Sequence, residues 1–231
     1  MKVGSSLVVL VAVVVTAVCV RLGLWQLDRL HERQRVNVGL ASRAVARPVP
    51  ISQLPRDTAE ARYRRVSVQG AYDYANETVL TLRSRDGSPG VNIVTPLRLP
   101  STDTAVLVVR GWVYSPNGMT VDLTRWREES ELNGSGFVET YPPARQGANA
   151  SPSHSNAYRW LDRAGLEKRF RYPLEPYYVV LTSPPADTTK DTPPRLNVPP
   201  MDEGPHKSYA IQWFSFAAIS IIGTILFLRR K

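Results

Sequence analysis

Long apolar runs occur at two places in this chain, VGSSLVVLVAVVVTAVCV at residues 3–20 and YAIQWFSFAAISIIGTILFL at residues 209–228. Each run has about 18 to 20 residues, which at ~1.5 Å per helical residue spans roughly 30 Å. That length matches the hydrocarbon core of a bilayer. The sequence therefore predicts a membrane hairpin of two transmembrane helices, over residues 3–24 and 209–228, that encloses a soluble domain over residues 25–208.

The basic residues beside the runs predict the orientation of the hairpin. Arg229, Arg230 and Lys231 follow the second run directly, and basic residues close to a span favour the cytoplasmic side. Arginines also follow the first run, but a segment of roughly 180 residues crosses largely regardless of its charge. We therefore expect both termini in the cytoplasm, a basic cytoplasmic tail over residues 229–231, and an extracytoplasmic domain.

The start of the chain bears on the compartment. Two residues precede the first run, which leaves no Arg-rich transit peptide in front of it and favours a bacterial cytoplasmic (inner) membrane. A cleaved signal peptide is the alternative, because residues 17–19 include the small side chains that a signal peptidase reads. Cys19, the only cysteine, lies in the first run, so the soluble domain has no disulfide and no thiolate metal site.

The charge balance excludes one class of partner. The net charge of +9 falls to +5 without Lys2 and residues 229–231, and this mild surplus is spread over a whole domain. A nucleic-acid binder would concentrate its basic residues in a stripe with aromatic platforms. The composition favours a protein held beside an anionic lipid bilayer, with no nucleic acid as partner.

Alternating apolar and polar residues predict strands through most of the domain. These are residues 63–70, 78–82, 91–99, 105–114, 136–141 and 177–181. Helical spacing predicts a juxtamembrane helix over 25–36 and a short helix over 161–170, and it allows another over 121–132. Residues 142–156 and the Pro-rich residues 182–200 are expected to be loops, the latter a tether to the second span. The fold class is therefore α+β, dominated by antiparallel strands in a sheet or partly closed barrel.

Motifs of catalysis are absent from the sequence. The chain has three histidines, His31, His154 and His206, and contains no His-x-x-x-His pair, no Gly-x-Ser-x-Gly elbow and no phosphate-binding Gly-rich loop. We therefore expect that the protein is not an enzyme. A membrane-anchored hydrolase would need a nucleophile and a base that only folding brings together.

One cluster of residues before the second run includes a histidine that could ligate a metal. If a helix begins at Pro205, His206 shares a face with Tyr209, Ala210, Trp213 and Ala217. This face offers an imidazole, two aromatic rings and small gaps where membrane meets water. A flat amphipathic macrocycle such as haem could lie there with its iron reached by His206. Interfacial anchoring by Tyr and Trp, with a solvated histidine, is the alternative interpretation.

Three motifs resemble one family. LGLWQLDR at residues 22–29, VRGWV at 109–113 and HKSYAIQWF at 206–214 resemble the surfeit locus protein 1 family. The resemblance implies a cytochrome c oxidase assembly factor that works where haem a enters the catalytic subunit. It also implies that bacterial members hold haem a, with His206 as the candidate iron ligand. The implied partners are the oxidase catalytic subunit and the proteins that make or deliver haem a.

The same motifs supply the remaining candidate site residues. Gln26 and Gln212 are expected to hydrogen-bond between the two helices, and Trp25 and Trp213 to pack in the same layer. The candidate cofactor-binding residues are therefore His206, Tyr209, Trp213, Gln212, Trp25 and Gln26. Simple helix packing by these side chains, and a scaffold that binds oxidase subunits without touching haem, stay open as alternatives. Trp112, at the end of the strongest strand, is expected to pack in the core.

Overall fold

The computed structural model describes residues 3–100, 102–144, 146–151, 153–185, 187 and 190–230. The chain divides into two compact units, Met1–Ala41 with Pro200–Lys231, and Ser42–Pro199. Lys231 of the predicted basic tail lies outside the described residues.

The first unit is built from two long helices, α1 (Val3–Val45) and α4 (His206–Arg229). Each is long and apolar enough to cross a membrane. The predicted juxtamembrane helix continues α1 without a break, and α1 runs further than predicted. It ends shortly before Pro48, because the residue before a proline is disfavoured in helical conformation.

The described part of the second unit contains nine strands in one sheet and two short helices. The strands are β1 (Val49–Pro50), β2 (Arg65–Tyr72), β3 (Thr78–Leu80), β4 (Gly90–Arg98), β5 (Ala105–Tyr114), β6 (Glu131–Thr140), β7 (Asn149–Ser151), β8 (His154–Tyr158) and β9 (Tyr177–Ser183). The helices are α2 (Thr58–Ala61) and α3 (Arg163–Phe170).

Five of these strands close into a barrel. They pair in the order β2, β6, β9, β5, β4, and β4 returns to β2 through Ala71 with Arg98 and Tyr72 with Leu97. Closure removes the free edges that an open sheet would leave. The neighbours are antiparallel except β5 and β9, which run parallel. Outside the barrel, β1–β2 and β3–β8 are also parallel. The predicted sheet is therefore confirmed as barrel-like and mostly antiparallel, with three parallel pairs among the described strands.

Each predicted strand is present, within a few residues of its expected ends, and α3 matches the short helix expected over 161–170. Two predictions were wrong. Residues 121–132 form no α-helix, but a short 3-10 turn at Thr124–Trp126 followed by the start of β6. The expected loop over 142–156 contains β7 and most of β8, which pair with each other.

The Pro-rich segment is also more than a tether. After β9 ends, its described part returns to β5, where the amide N–H of Trp112 donates to the carbonyl of Pro194 over 3.0 Å. A Cβ at Gly111 would lie 2.4 Å from that carbonyl oxygen, so only glycine allows the approach. The glycine of the VRGWV motif thus keeps the Pro-rich segment against the barrel.

The barrel interior holds a charged side chain at one end of an apolar core. Val106 and Val108 belong to the core, and period-2 alternation puts Arg110 next on the same face of β5. Arg110 is 0% exposed. Its Nη1 donates to Oε1 of Glu77 and its Nε to Oε2 of Glu128, each over 2.9 Å. A charged side chain can be buried in this way when it is paired and hydrogen-bonded, as Arg110 is here.

Two more arginines extend the contacts of Arg110, Glu77 and Glu128 into a network. Arg127 donates to the other oxygen of Glu77, and Arg195 of the Pro-rich segment donates to Glu128. Burial raises the pKa of Glu77, while the neighbouring Arg110 acts to lower it. Arg110 also lies over the rings of Tyr72 and Tyr74, 5.3 Å from each centroid.

Trp112 is not a core residue. It is half-buried, its Nε1 donates to the carbonyl of Arg83 over 2.8 Å, and its ring covers Gly90. The expectation of a buried Trp112 was wrong: the β4–β5 register shifts opposite Arg110, and beyond this irregularity the half-buried Trp112 anchors the neighbouring loop at Arg83.

We expect Arg110→Ala to lower the free energy of unfolding by ~3–5 kcal/mol, because Glu77 and Glu128 lose the buried charge that they share and keep only Arg127 and Arg195. Arg125→Ala is the control, since its ion pair with Asp191 has side chains 60% and 49% exposed and should contribute little to stability. Denaturant unfolding of the full chain in detergent measures both. Equal losses in the two variants would contradict a structural role for the network.

Candidate functional site

The two long helices face each other through a repeating set of positions. Buried and half-buried residues of α1 recur every three or four residues, the spacing of helices packed side by side. They are Ala12, Thr16, Cys19, Gly23, Gln26 and Leu30. On α4 the buried residues are Ala210 and Ala217.

Small and hydroxyl side chains bring these helices close together. A Cβ at Gly23 would lie 2.8 Å from the ring of Phe214, so the missing side chain makes room for that ring. Oγ1 of Thr16 donates to Oγ of Ser220 over 3.1 Å, a polar contact of the kind that links helices in apolar surroundings.

A polar turn precedes α4 and is held by α1. Gly204 has φ +72°, a backbone conformation that suits glycine, and its N–H donates to the Asp202 side chain. Asn37 donates to the backbone carbonyl of Asp202 over 3.1 Å, and Gln34 to the side chain of Glu203 over 3.0 Å. Two side chains of α1 therefore fix the entry to α4.

His206 is the first residue of α4 and meets Gln26. The Nδ1 atom of His206 lies 2.9 Å from Oε1 of Gln26. Since an amide oxygen only accepts, Nδ1 carries a proton, and in the neutral imidazole Nε2 then keeps its lone pair. Gln26 is 9% exposed and His206 half-buried, so the pair is shielded without being enclosed.

Three other candidate residues are more exposed than a shared binding face would require. Tyr209 and Trp25 are 46% and 45% exposed, and Gln212 is exposed as well. Tyr209 therefore points away from the face shared by His206 and Ala210.

Two predicted contacts were wrong. Gln26 pairs with His206 rather than Gln212, because His206 occupies the first turn of α4 opposite it. The ring centroids of Trp213 and Phe216 lie 6.0 Å apart, and the guanidinium of Arg29 lies over the ring of Trp25. The ring pairs among the described residues do not include Trp25 with Trp213.

The donor set around His206 suits one kind of metal group. The described residues contain no cluster of three or more His, Cys, Asp or Glu side chains that could hold a metal ion. His206 therefore offers a single imidazole nitrogen, oriented by a hydrogen bond at its other nitrogen as metal-binding histidines usually are. A macrocycle that supplies its own equatorial ligands needs only such an axial donor.

Sequence reasoning missed Gly23, Gln34 and Asn37. Gly23 and Gln26 are three residues apart within the LGLWQLDR motif, and Gln34 and Asn37 continue that spacing along α1. The regular spacing of these small and polar residues along α1 can therefore be read from the sequence. Which residues they contact outside α1 cannot be read from the sequence.

These features define a class of protein, in which a closed five-strand barrel is encoded in the sequence between two long apolar helices. A family model described as the SURF1 family matches residues 13–218. The chain therefore belongs to the SURF1 family, which is known for assembly of cytochrome c oxidase.

Individual relatives of known name support membership of this family. A SURF1-like protein of Monosiga brevicollis is 25% identical over 91% of this chain and 83% of its own length. A SURF1-like protein of the bacterium Rickettsia felis is 25% identical over 96% of each chain. Surfeit locus protein 1 of Homo sapiens is 31% identical over 61% of this chain, and the match covers 53% of that protein. The chain thus spans about half the length of this vertebrate relative.

We expect nitrogen-15 NMR of histidine-labelled protein at ~pH 8.5, where an ordinary histidine is neutral, to report a protonated Nδ1 on His206. Gln26→Leu should shift His206 toward the Nε2–H tautomer, because the acceptor of the Nδ1 proton is gone. Gln212→Leu is the matched control and should leave the spectrum unchanged. An unaltered His206 signal in Gln26→Leu would contradict the hydrogen bond.

Proposed function

We propose that this protein is a membrane-anchored assembly factor that holds haem a for the catalytic subunit of cytochrome c oxidase. The observation that carries the proposal is the hydrogen bond from Nδ1 of His206 to Gln26, which leaves Nε2 as an axial donor. Membership of the SURF1 family supports the link to oxidase assembly. The protein acts by binding and delivery, without catalysing a reaction.

A half-buried donor suits a carrier better than a closed pocket. Free haem a is poorly soluble and reactive, so a carrier has to shield it and then release it. His206 would bind the iron and Gln26 would hold the imidazole. The half-buried ring of Trp213 lies two helical turns further along α4. The exposed Tyr209, Gln212 and Trp25 provide aromatic and polar contacts for the macrocycle at either side.

The proposal includes a topology. Both α1 and α4 cross the cytoplasmic membrane of a bacterium, the termini lie in the cytoplasm, and the barrel lies outside. His206 then lies at the outer membrane surface, where the oxidase catalytic subunit and the proteins that make or deliver haem a can reach it.

We expect His206→Ala to insert and fold normally, to copurify with little haem a, and to support less active oxidase, because the axial donor is lost. His31→Ala and His154→Ala are the controls and should keep haem a near the wild-type amount. Absorption spectra of detergent-purified protein, from cells that make haem a, measure this.

Undiminished haem a with an unchanged spectrum in His206→Ala would overturn the ligand role. A wild-type protein that carries no haem a yet supports full oxidase assembly would favour a scaffold instead. Gln26→Leu gives a graded test, since loss of the orienting partner should weaken haem a affinity about 10- to 100-fold.

The topology has its own test. A reporter fused after the C-terminus that is active only in the cytoplasm should be active, because the basic residues after α4 favour that side. An export-dependent reporter fused within the β7–β8 hairpin should also be active. Activity of the export-dependent reporter at the C-terminus would contradict the orientation.

A further inference from the structure

A cavity of ≈ 480 Å³ lies in the barrel unit, beside the ends of β3 and β6. Its size falls within the range of small-molecule sites and fits one side chain or a compact ligand. The walls include Tyr141, Tyr178, Trp160 and the two prolines Pro142 and Pro143. None of these residues has a part in the proposed haem site.

The cavity is positively charged. Three arginines line it, Arg62, Arg83 and Arg159, together with one carboxylate, Glu139. That carboxylate is already engaged, since Arg62 donates to it over 2.8 Å and the amide of Thr140 over 3.0 Å. Arg83 and Arg159 therefore leave an excess of two positive charges.

Two buried polar atoms of the lining have no partner among the described residues. They are Nε of Arg83 and the hydroxyl of Tyr141. Arg83 is held in place, because its Nη2 donates to the carbonyl of Arg159 over 3.0 Å. A buried donor without an acceptor is costly, and buried groups of this kind ordinarily have one. Both groups can donate, so the missing species is an acceptor.

The aromatic walls indicate what else the ligand carries. The rings of Tyr141 and Tyr178 meet edge to face, with centroids 5.5 Å apart. Burial raises the pKa of both hydroxyls, so these tyrosines stay neutral donors at physiological pH. Together with the neighbouring prolines, they present an apolar surface beside the unpaired donors.

The geometry points to a second binding site in this cavity, for a carboxylate attached to an apolar or aromatic group. The carboxylate accepts from Nε of Arg83 and the hydroxyl of Tyr141, and the apolar group packs against the Tyr141–Tyr178 pair. Guanidinium groups recognise carboxylates through charge-assisted hydrogen bonds. The C-terminal residue of a peptide and a free aromatic acid both carry this chemistry.

Calorimetric titration of the full chain in detergent, at low ionic strength, tests the site. We expect N-acetylphenylalanine to bind with a Kd of about 1 mM, the range of a weak fragment, and its C-terminal amide not to bind. Benzoate separates the two sources, since equal binding of benzoate indicates a free acid and weaker binding indicates a peptide C-terminus. Tighter binding of phenyl phosphate would overturn the carboxylate assignment.

Two variants locate the binding. Tyr141→Phe and Arg83→Lys each remove one unpaired donor and should weaken binding of N-acetylphenylalanine about tenfold. The matched controls are Tyr72→Phe and Arg98→Lys, which remove the buried, unpaired Tyr72 hydroxyl and Arg98 Nη1 outside this cavity. These controls should leave the Kd unchanged.

Folding is checked separately by thermal unfolding. Tyr141→Phe should melt no lower than the parent, because it removes a buried hydroxyl that has no partner. Wild-type affinity in a normally folded Tyr141→Phe, equal binding of the amide, or no heat with wild-type protein would each overturn the proposal. The last result would mean that only water satisfies the cavity. The haem measurements are independent of every one of these outcomes.

Discussion

The burial of one guanidinium constrains the whole barrel unit. Arg110 is fully buried, and a charge in that position has to be matched by charges from elsewhere in the chain. Glu77 comes from the turn between β2 and β3, and Glu128 from the segment before β6, which also binds Arg195 of the Pro-rich segment. The network therefore joins all three of these segments to the interior face of β5. Burial raises the pKa of Glu77 despite its partners, which indicates that desolvation is the larger effect.

This network gives the VRGWV motif a physical explanation. Arg110 pairs with the interior carboxylates, Gly111 admits the carbonyl of Pro194, and Trp112 holds the loop at Arg83. Three adjacent residues thus contact three different parts of the chain. The described residues of the Pro-rich segment up to Pro199 consequently belong to the barrel unit.

The two units carry different chemistry. The helix unit presents one imidazole beside apolar surface, an arrangement that suits a hydrophobic, metal-containing ligand. The barrel unit presents arginine and tyrosine donors in a charged cavity, which suits a hydrogen-bond acceptor with negative charge. If both proposals hold, separate sites in separate units let cofactor binding and carboxylate recognition each use the donors that they need.

The sequence alone determined the elements that depend on local patterns. The length of the apolar runs predicted both long helices, and alternation predicted six strands, because each signal is complete within one segment. The family motifs also led to His206 and Gln26 as candidates. Tertiary structure alone decided what these residues meet. His206 and Gln26 are 180 positions apart, the β5–β9 pair is parallel, and Arg110 is fully buried while Trp112 is not. Such outcomes depend on which distant segments fold together, and no local pattern of hydrophobicity records that.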